Sequence, residues 1–284
     1  MLKLHSEKAD IFVPDGSASD AALARTTHLG IGAHQDDLEI MAYHGILACF
    51  GRDDRWFTGV TCTNGAGSAR TGPYARCTDQ QMMAVRAEEQ RQAAILGQYG
   101  AMIQLSHPSA EIKDPASDVL KNELVQILRL TQPEVVYTHN PADKHLSHIA
   151  VVVPTLLALR ELEPALRPRL VYGCEVWRNL DWLPDEDKVP LDVSDRENMA
   201  WALVGLFDSQ IAGGKRYDLA TIGRRRANAT YFASHNVDDA SQLIFAMDLT
   251  PLIEDDGLDI VDYVLSFVDK FRADVYANLV RQLG

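Results

Sequence analysis

Short, wholly apolar segments repeatedly lead into polar clusters and then into helical patterns, and few folds accommodate that alternation. His28-Leu29-Gly30-Ile31-Gly32-Ala33 leads into His34-Gln35-Asp36-Asp37-Leu38-Glu39, and Ile40 to Ala48 then reads as a helix. Further on, Pro133 to Thr138 delivers His139 and the cluster Pro141-Ala142-Asp143-Lys144-His145-Leu146-Ser147-His148, followed by the apolar stretch Ile149 to Leu159. Strands buried on both faces read as continuous apolar runs, and strands alternating with helices build a parallel sheet. Parallel strands end on the same side, and ligands bind in the crevice outside those ends. Two clusters far apart in sequence are therefore expected to converge.

The rest of the chain extends the pattern. Trp56 to Thr63 reads as a second strand, followed by a glycine-rich loop from Asn64 to Pro73. Thr78 and Gln81 form a capping box that opens a helix running to about Leu96. Ala101 to Leu105 is a third strand, and a helix starting at Ser117 or Asp118 stops before Pro133. Arg169 to Trp177 is a fifth strand. Beyond about residue 180 the texture changes: Pro184 and Pro190 sit in an acidic loop, with helices expected near 195–212 and 214–231. Leu258 to Leu283 closes the chain with the apolar stripe Ile260, Val264, Phe267, Val268 and Phe271, read as packing on the same domain.

Spacing within the two clusters suits a metal. His34 and Asp37 are three apart, as are His145 and His148, and side chains so spaced on a helical turn have Cβ atoms about 5–6 Å apart. Zinc takes imidazole nitrogen and carboxylate oxygen, and a catalytic site holds it by three protein ligands and leaves one position open. With Asp36 the clusters offer five candidates, a His/Asp/His set and two groups left over for acid and base work. Each half alone has a plainer reading, Asp37 as a helix cap and the second pair as a solvated helix start. Together they point to one site.

Composition narrows the partners. The formal charge of −13, from 27 basic and 40 acidic residues, argues against nucleic acid or an anionic membrane, since phosphate binding needs basic patches. Arg224-Arg225-Arg226 is the one basic run and reads as a solvated helix face before any anion site. Cys49, Cys62, Cys77 and Cys174 lack Cys-x-x-Cys pairing, as expected of reduced thiols in a cytoplasm. The N-terminus shows no signal-peptide pattern, and no apolar stretch reaches the ~20 residues that span a bilayer. A cytoplasmic, soluble protein is the expectation.

The glycine-rich loop lacks the spacing of a nucleotide-binding loop, and His34 to Asp37 occupy the place after the first strand where a dinucleotide fingerprint belongs. NAD and ATP are thereby set aside. Arg70 in that loop either fixes a polar group of the substrate or is exposed and idle. His139 is read as a pocket residue or as a hydrogen-bond partner of a ligand, and His44 as part of the first helix's wall. His5, His28, His107 and His235 have no partner identifiable from sequence.

These residues carry a resemblance. The chain resembles the PIG-L/LmbE family of metal-dependent N-deacetylases, whose first motif reads Ala-His-Pro-Asp-Asp followed closely by Glu and whose second reads Asp-x-His-x-Asp-His. Val60 to Gly65, Arg86-Ala87-Glu88-Glu89, Ala93 to Gly97 and, loosely, Asp208-Ser209-Gln210 are also family-like. The likeness is good over about residues 26 to 180 and poor beyond. It implies an α/β, Rossmann-like three-layer sandwich around a mostly parallel sheet with a helical C-terminal extension, one domain over 1–284 with its core at about 26–180 and additions at about 181–284.

The resemblance also implies roles. His34, Asp37 and His148 would bind Zn2+, with Fe2+ as an alternative because this ligand set suits several divalent ions. Asp36 would be the general base and His145 would polarise the amide carbonyl. Arg70, Asn140 and Asp143 stand as candidates for substrate contact. The implied activity is zinc-dependent removal of an N-acetyl group from an amino sugar or its conjugate, with release of acetate, in an enzyme for which a homo-oligomer is a fair default. A related amidase and a catalytically impaired, ligand-binding member are the alternatives. Two departures bear on them: Gln35 replaces the family's Pro, and Ser147 replaces an Asp that would keep the neighbouring His charged. Asp143 is a candidate to replace that carboxylate.

Overall fold

Along each strand, successive side chains point to opposite faces of the sheet, and the computed structural model, which describes residues 2–284, sorts them into two cores accordingly. Among the described residues the elements run β1 (Asp10–Phe12), α1 (Ser19–Ala24), β2 (His28–Gly32), α2 (Asp37–Met41), α3 (Tyr43–Cys49), β3 (Phe57–Thr63), α4 (Asp79–Leu96), β4 (Ala101–His107), α5 (Ser109–Ile112), α6 (Val119–Thr131), β5 (Val135–His139) and α7 (Leu146–Arg160). They continue with β6 (Leu170–Cys174), β7 (Lys188–Asp192), α8 (Glu197–Gly205), α9 (Asp208–Ile211), α10 (Tyr217–Tyr231), β8 (Leu243–Asp248), α11 (Pro251–Glu254) and α12 (Ile260–Leu283). Leu29, Ile31, Val60, Ile103 and Val136 face a core completed by α1, α6, α7 and the start of α12. Phe57, Met102, Val135 and Tyr137 face the other core, with α2, α3, α4 and α8. Helices thus cover both faces, and the α/β three-layer expectation holds.

One eight-stranded sheet has the order β1-β4-β3-β2-β5-β6-β8-β7. Its middle five strands, β4-β3-β2-β5-β6, are parallel, and β1, β8 and β7 are antiparallel additions. From β2 the chain goes to β3 on one side and later to β5 on the other. β2 and β5 therefore flank the point where strand order reverses, and that point is the crevice in which such sheets bind ligands.

Two glycines set the first cluster against the sheet. A Cβ on Gly30 would lie 2.9 Å from Leu38 Cδ2, and one on Gly59 would lie 2.7 Å from Leu38 Cδ1. Leu38, fully buried, fills the notch these bare positions leave on β2 and β3. The first turn of α2, and Asp37 with it, is thereby pressed onto the strand ends.

Several boundaries differ from expectation. The single helix expected over Ile40 to Ala48 is broken into α2 and α3 at Ala42. The acidic loop around Pro184 and Pro190 contains strand β7, whose position at the sheet edge lets Pro190 dispense with a ladder donor. Strands β1 and β8 were not anticipated. The apolar stripe of α12 packs only at its start, where Val264 and Phe267 are buried, and Phe271, Val275 and Leu279 are exposed. The cysteines are free, and among the described residues no helix is long and apolar enough to cross a membrane.

Candidate metal centre and active site

β2 ends at Gly32, and the turn that follows presents His34 and then Asp37 at the start of α2. β5 ends at His139, and the following loop presents Asp143, His145 and, in the first turn of α7, His148. The two clusters meet: His34, Asp37 and His148 each bring one donor atom to within 4.8 Å of the others. Asp37 Oδ2 accepts the His34 backbone N–H at 2.7 Å and lies 3.2 Å from His34 Nδ1. Asp37 Oδ1 lies 3.5 Å from His148 Nε2. Burial would raise the Asp37 carboxyl, but the imidazoles of His148, His139 and His34 outweigh it and hold Asp37 well below the usual carboxylate range.

His148 fits a metal on its own hydrogen bonding. Its Nδ1 lies 3.1 Å from Asp143 Oδ2, and a carboxylate only accepts, so Nδ1 carries the proton and Nε2 keeps its lone pair. That Nε2 is buried and has no hydrogen-bond partner among the described residues. Burial pushes the imidazole down to about 4, which keeps it neutral and able to ligate. A carboxylate behind a ligating histidine is the usual way such rings are oriented.

His139 supports this arrangement from beneath. Its ring stacks on His148 at 3.8 Å and 14°, and its Nε2 accepts the Ala33 N–H at 2.9 Å. His139, Asp143 and His148 also lie within 4.8 Å of one another. The Asp143 carboxylate is already engaged, however: it takes the N–H groups of His145 and Trp177 as well as the His148 ring. The second grouping is a brace for the first.

Asp36 stands beside the centre in a backbone conformation that only an unusual local structure retains, with φ at 97°. Such positions cost about 1–3 kcal/mol and persist where surroundings enforce them. The Asp36 N–H is held by Gln90 Oε1 at 3.2 Å, and Gln90 Nε2 in turn donates to Glu39 Oε1 at 2.8 Å, where the Tyr99 hydroxyl also donates at 2.6 Å. Arg86 lies 3.4 Å from Asp36 Oδ2 and donates to the Gln35 carbonyl. Gln35, in the place of the family's Pro, donates to the Thr63 carbonyl at 3.1 Å and accepts from Arg86 Nε at 3.3 Å. Its buried amide thereby ties this turn to β3 and α4. Burial raises the Asp36 carboxyl, against the pull of the Arg86 guanidinium and with a further push from Asp37.

His34, Asp36, Asp37 and His145 line a cavity of about 730 Å3, a size suited to a small molecule. His145 presents an Nδ1 with no partner among the described residues, its ring 5.1 Å from that of His34. Burial and the neighbouring His34 lower its pKa. Ser147 bonds Ser109 at 3.2 Å and gives that ring no charge. Asp143 does not replace the missing carboxylate, because its oxygens go to the backbone of His145 and the ring of His148.

Placement corrects three expected substrate contacts. Asp143 lies behind the metal cluster. Asn140 is fully buried, donating to the Cys174 carbonyl. Arg70 folds back onto the Ala66 carbonyl at 2.5 Å and Asp79 at 2.6 Å, outside the main cavity. The basic run is corrected too: Arg226 pairs with Glu197 at the surface, but Arg225 is buried and both Arg224 and Arg225 line the cavity. His107, without an identifiable partner in the sequence, is bonded to Glu111 and Glu123. His44 bonds the Tyr137 hydroxyl at 2.8 Å. Sequence reasoning missed Trp177, Lys113, Lys215 and Tyr217 as cavity residues; no motif surrounds them. Arg86 stood in a family-like stretch, which was a signal.

Comparison with known proteins agrees with this geometry. The PIG-L family, described as GlcNAc-PI de-N-acetylase, matches residues 29–159. No curated protein sequence matches the chain. Among solved structures, N,N'-diacetylchitobiose deacetylase from Pyrococcus horikoshii is similar at 16% identity and a TM-score of 0.59, over 78% of this chain and 83% of that one. GalB, the 4-carboxy-2-hydroxymuconate hydratase of Pseudomonas putida, is similar at 16% and 0.60, over 79% and 96%. The conserved protein TT1542 of Thermus thermophilus is similar at 20% and 0.58, over 78% and 94%. At these identities the structures establish a shared fold, and a deacetylase and a hydratase both use it. Residues 29–159, which contain the whole His34/Asp37/His148 cluster with Asp36 and His145, are thus the part of the chain that matches the PIG-L family.

Proposed function

We propose that the chain is a metal-dependent N-deacetylase that removes an acetyl group from an N-acetylated amino sugar or a conjugate of one. The observation that carries this reading is the buried, unpartnered His148 Nε2 beside Asp37 and His34, with Asp36 and His145 on the same cavity wall. His34, Asp37 and His148 would hold the metal, zinc by preference for this donor set. A divalent cation there supplies Lewis acidity and lets water ionise near pH ~7. Asp36, whose carboxyl is raised by burial, takes the proton of the attacking water and passes it to the departing amine. His145 donates from its ring to the carbonyl oxygen as charge develops there.

The structural neighbours described as deacetylases support the reaction class, and the family description names an N-acetylglucosamine conjugate. One observation favours a second reading, an impaired member that binds without turnover: the residue before His148 is Ser147, bonded to Ser109, where the family has an Asp. Acetate release from N-acetylglucosamine derivatives, with and without chelator, separates the two. Chelator-sensitive acetate supports the deacetylase, and metal-loaded protein that yields none favours the impaired member.

A further inference from the structure

Helix α12 turns one face to its own domain and an apolar row to solvent. On the first face Val264 and Phe267 are buried, and the Lys270 ammonium pairs with Asp187 at 2.8 Å. About a third of a turn around the helix runs the second row, Val261, Leu265, Val268, Arg272, Val275 and Leu279, spaced by alternate steps of four and three residues. Such spacing is the heptad repeat of a coiled-coil seam, with Leu265, Arg272 and Leu279 at one of its two core positions and the valines at the other. The five apolar members of the row are 40–62% exposed, and from Val268 to the end of the chain every residue is exposed. A helix end of this length without tertiary packing is marginal in water.

Charge selects what packs there. Arg272 is the charged member of the row, and Asp269 flanks it one turn earlier. Neither enters an ion pair among the described residues. Two parallel copies would set Arg272 against Arg272. In an antiparallel pair each core position meets the other instead. Val261 of one copy then lies level with Leu279 of the second copy, Leu265 with Val275, and Val268 with Arg272, and a twofold axis repeats each layer. Asp269 of each helix comes beside Arg272 of the other, so both charges are answered by the same surface on a second copy.

We propose that α12 pairs antiparallel with α12 of a second copy of this chain, so that the protein is a twofold-symmetric dimer with its seam from Val261 to Leu279 and with Asp269 and Arg272 setting direction and register. At a rise of about 1.5 Å per residue the seam is about 27 Å long. One polar residue in such a seam fixes register at a cost in stability. None of these residues lines the cavity at the metal centre, and the pairing is independent of the reaction performed there.

Sedimentation and light scattering of the full-length protein over a wide range of concentration test the pairing. The wild type is expected to reach twice the mass of the chain, and Leu265→Glu/Leu279→Glu to stay monomeric. Asp269→Arg replaces each attraction by arginine against arginine and should raise the dimer dissociation constant about tenfold or more. Asp269→Arg/Arg272→Asp restores opposite charges across the seam and should recover most of that loss. A wild type that is monomeric at every concentration overturns the proposal, as does a Leu265→Glu/Leu279→Glu protein that still associates. Should that variant lose its fold by circular dichroism, the two charge variants, altered only at exposed positions, decide alone: recovery in the double reversal supports the antiparallel pair, and failure to recover overturns it.

Discussion

Asp143 Oδ2 lies 3.1 Å from His148 Nδ1, and this contact decides which nitrogen of His148 faces the metal cluster. An amide at position 143 could satisfy Nδ1 as a donor and so favour the wrong tautomer. Asp143→Asn is expected to weaken metal affinity about 10–100-fold, the usual effect of losing such a partner, and His148→Ala should strip most of the metal. Elemental analysis after dialysis against a graded chelator checks both; full occupancy in His148→Ala would remove that residue from the ligand set.

Asp36 borders the centre without belonging to the donor set. Asp36→Asn should leave metal content near that of the wild type while lowering turnover about 10²–10⁴-fold, the typical contribution of a positioned base. Turnover within a few-fold of wild type would assign the base elsewhere.

Much of the site was legible in sequence because its groups sit where chain geometry is local. His34 and Asp37 share one turn after β2, and His145 and His148 share one turn after β5. The apolar runs announced both strands, and the Thr78/Gln81 capping box opens α4 as read. What was not legible depends on long-range packing. Arg225 is buried by α10 folding over α2, a contact between positions 186 apart in sequence, so its run looked solvated. Asp143 carries no local sign that its carboxylate turns inward to His148. Strands β7 and β8 pair with each other at the edge, where Pro190 disguises one of them.

Leu38 over Gly59 offers a test of packing. Gly59→Ala would put a methyl 2.7 Å from Leu38 Cδ1 and 2.7 Å from Met102 Sδ. Overpacking of this kind costs about 1–3 kcal/mol, and a shift of α2 moves Asp37. A lowered midpoint in thermal unfolding together with reduced metal occupancy is expected. An unchanged melting curve would mean that the notch is more yielding than its geometry.

Ser147 gives the His145 ring no carboxylate of its own, and burial and His34 lower its pKa against the weaker pull of Asp37 and Asp143. A carboxylate placed beside an imidazole favours the charged form, typically by about 1–3 pH units. In Ser147→Asp the alkaline limb of the kcat/KM profile should therefore move to higher pH. A limb that stays in place would show that another group governs it.

His107 links the end of β4 to Glu111 and Glu123. Burial alone would lower its pKa, but those carboxylates outweigh it and raise it above 6.5. The bound proton therefore stabilises the fold fully below about 6.5 and progressively less as pH rises through the folded-state value. The margin in unfolding midpoint between the wild type and His107→Gln should narrow as pH rises from about 6 into the alkaline range; a margin constant with pH contradicts the ion-pair assignment.

The most direct test of the metal-centred account is acetate release from N-acetylglucosamine derivatives by purified protein whose metal content is measured in the same sample. About one divalent ion per chain is expected, with acetate formation that stops on chelation and returns on adding zinc. Acetate formation that persists in metal-stripped protein would contradict the account.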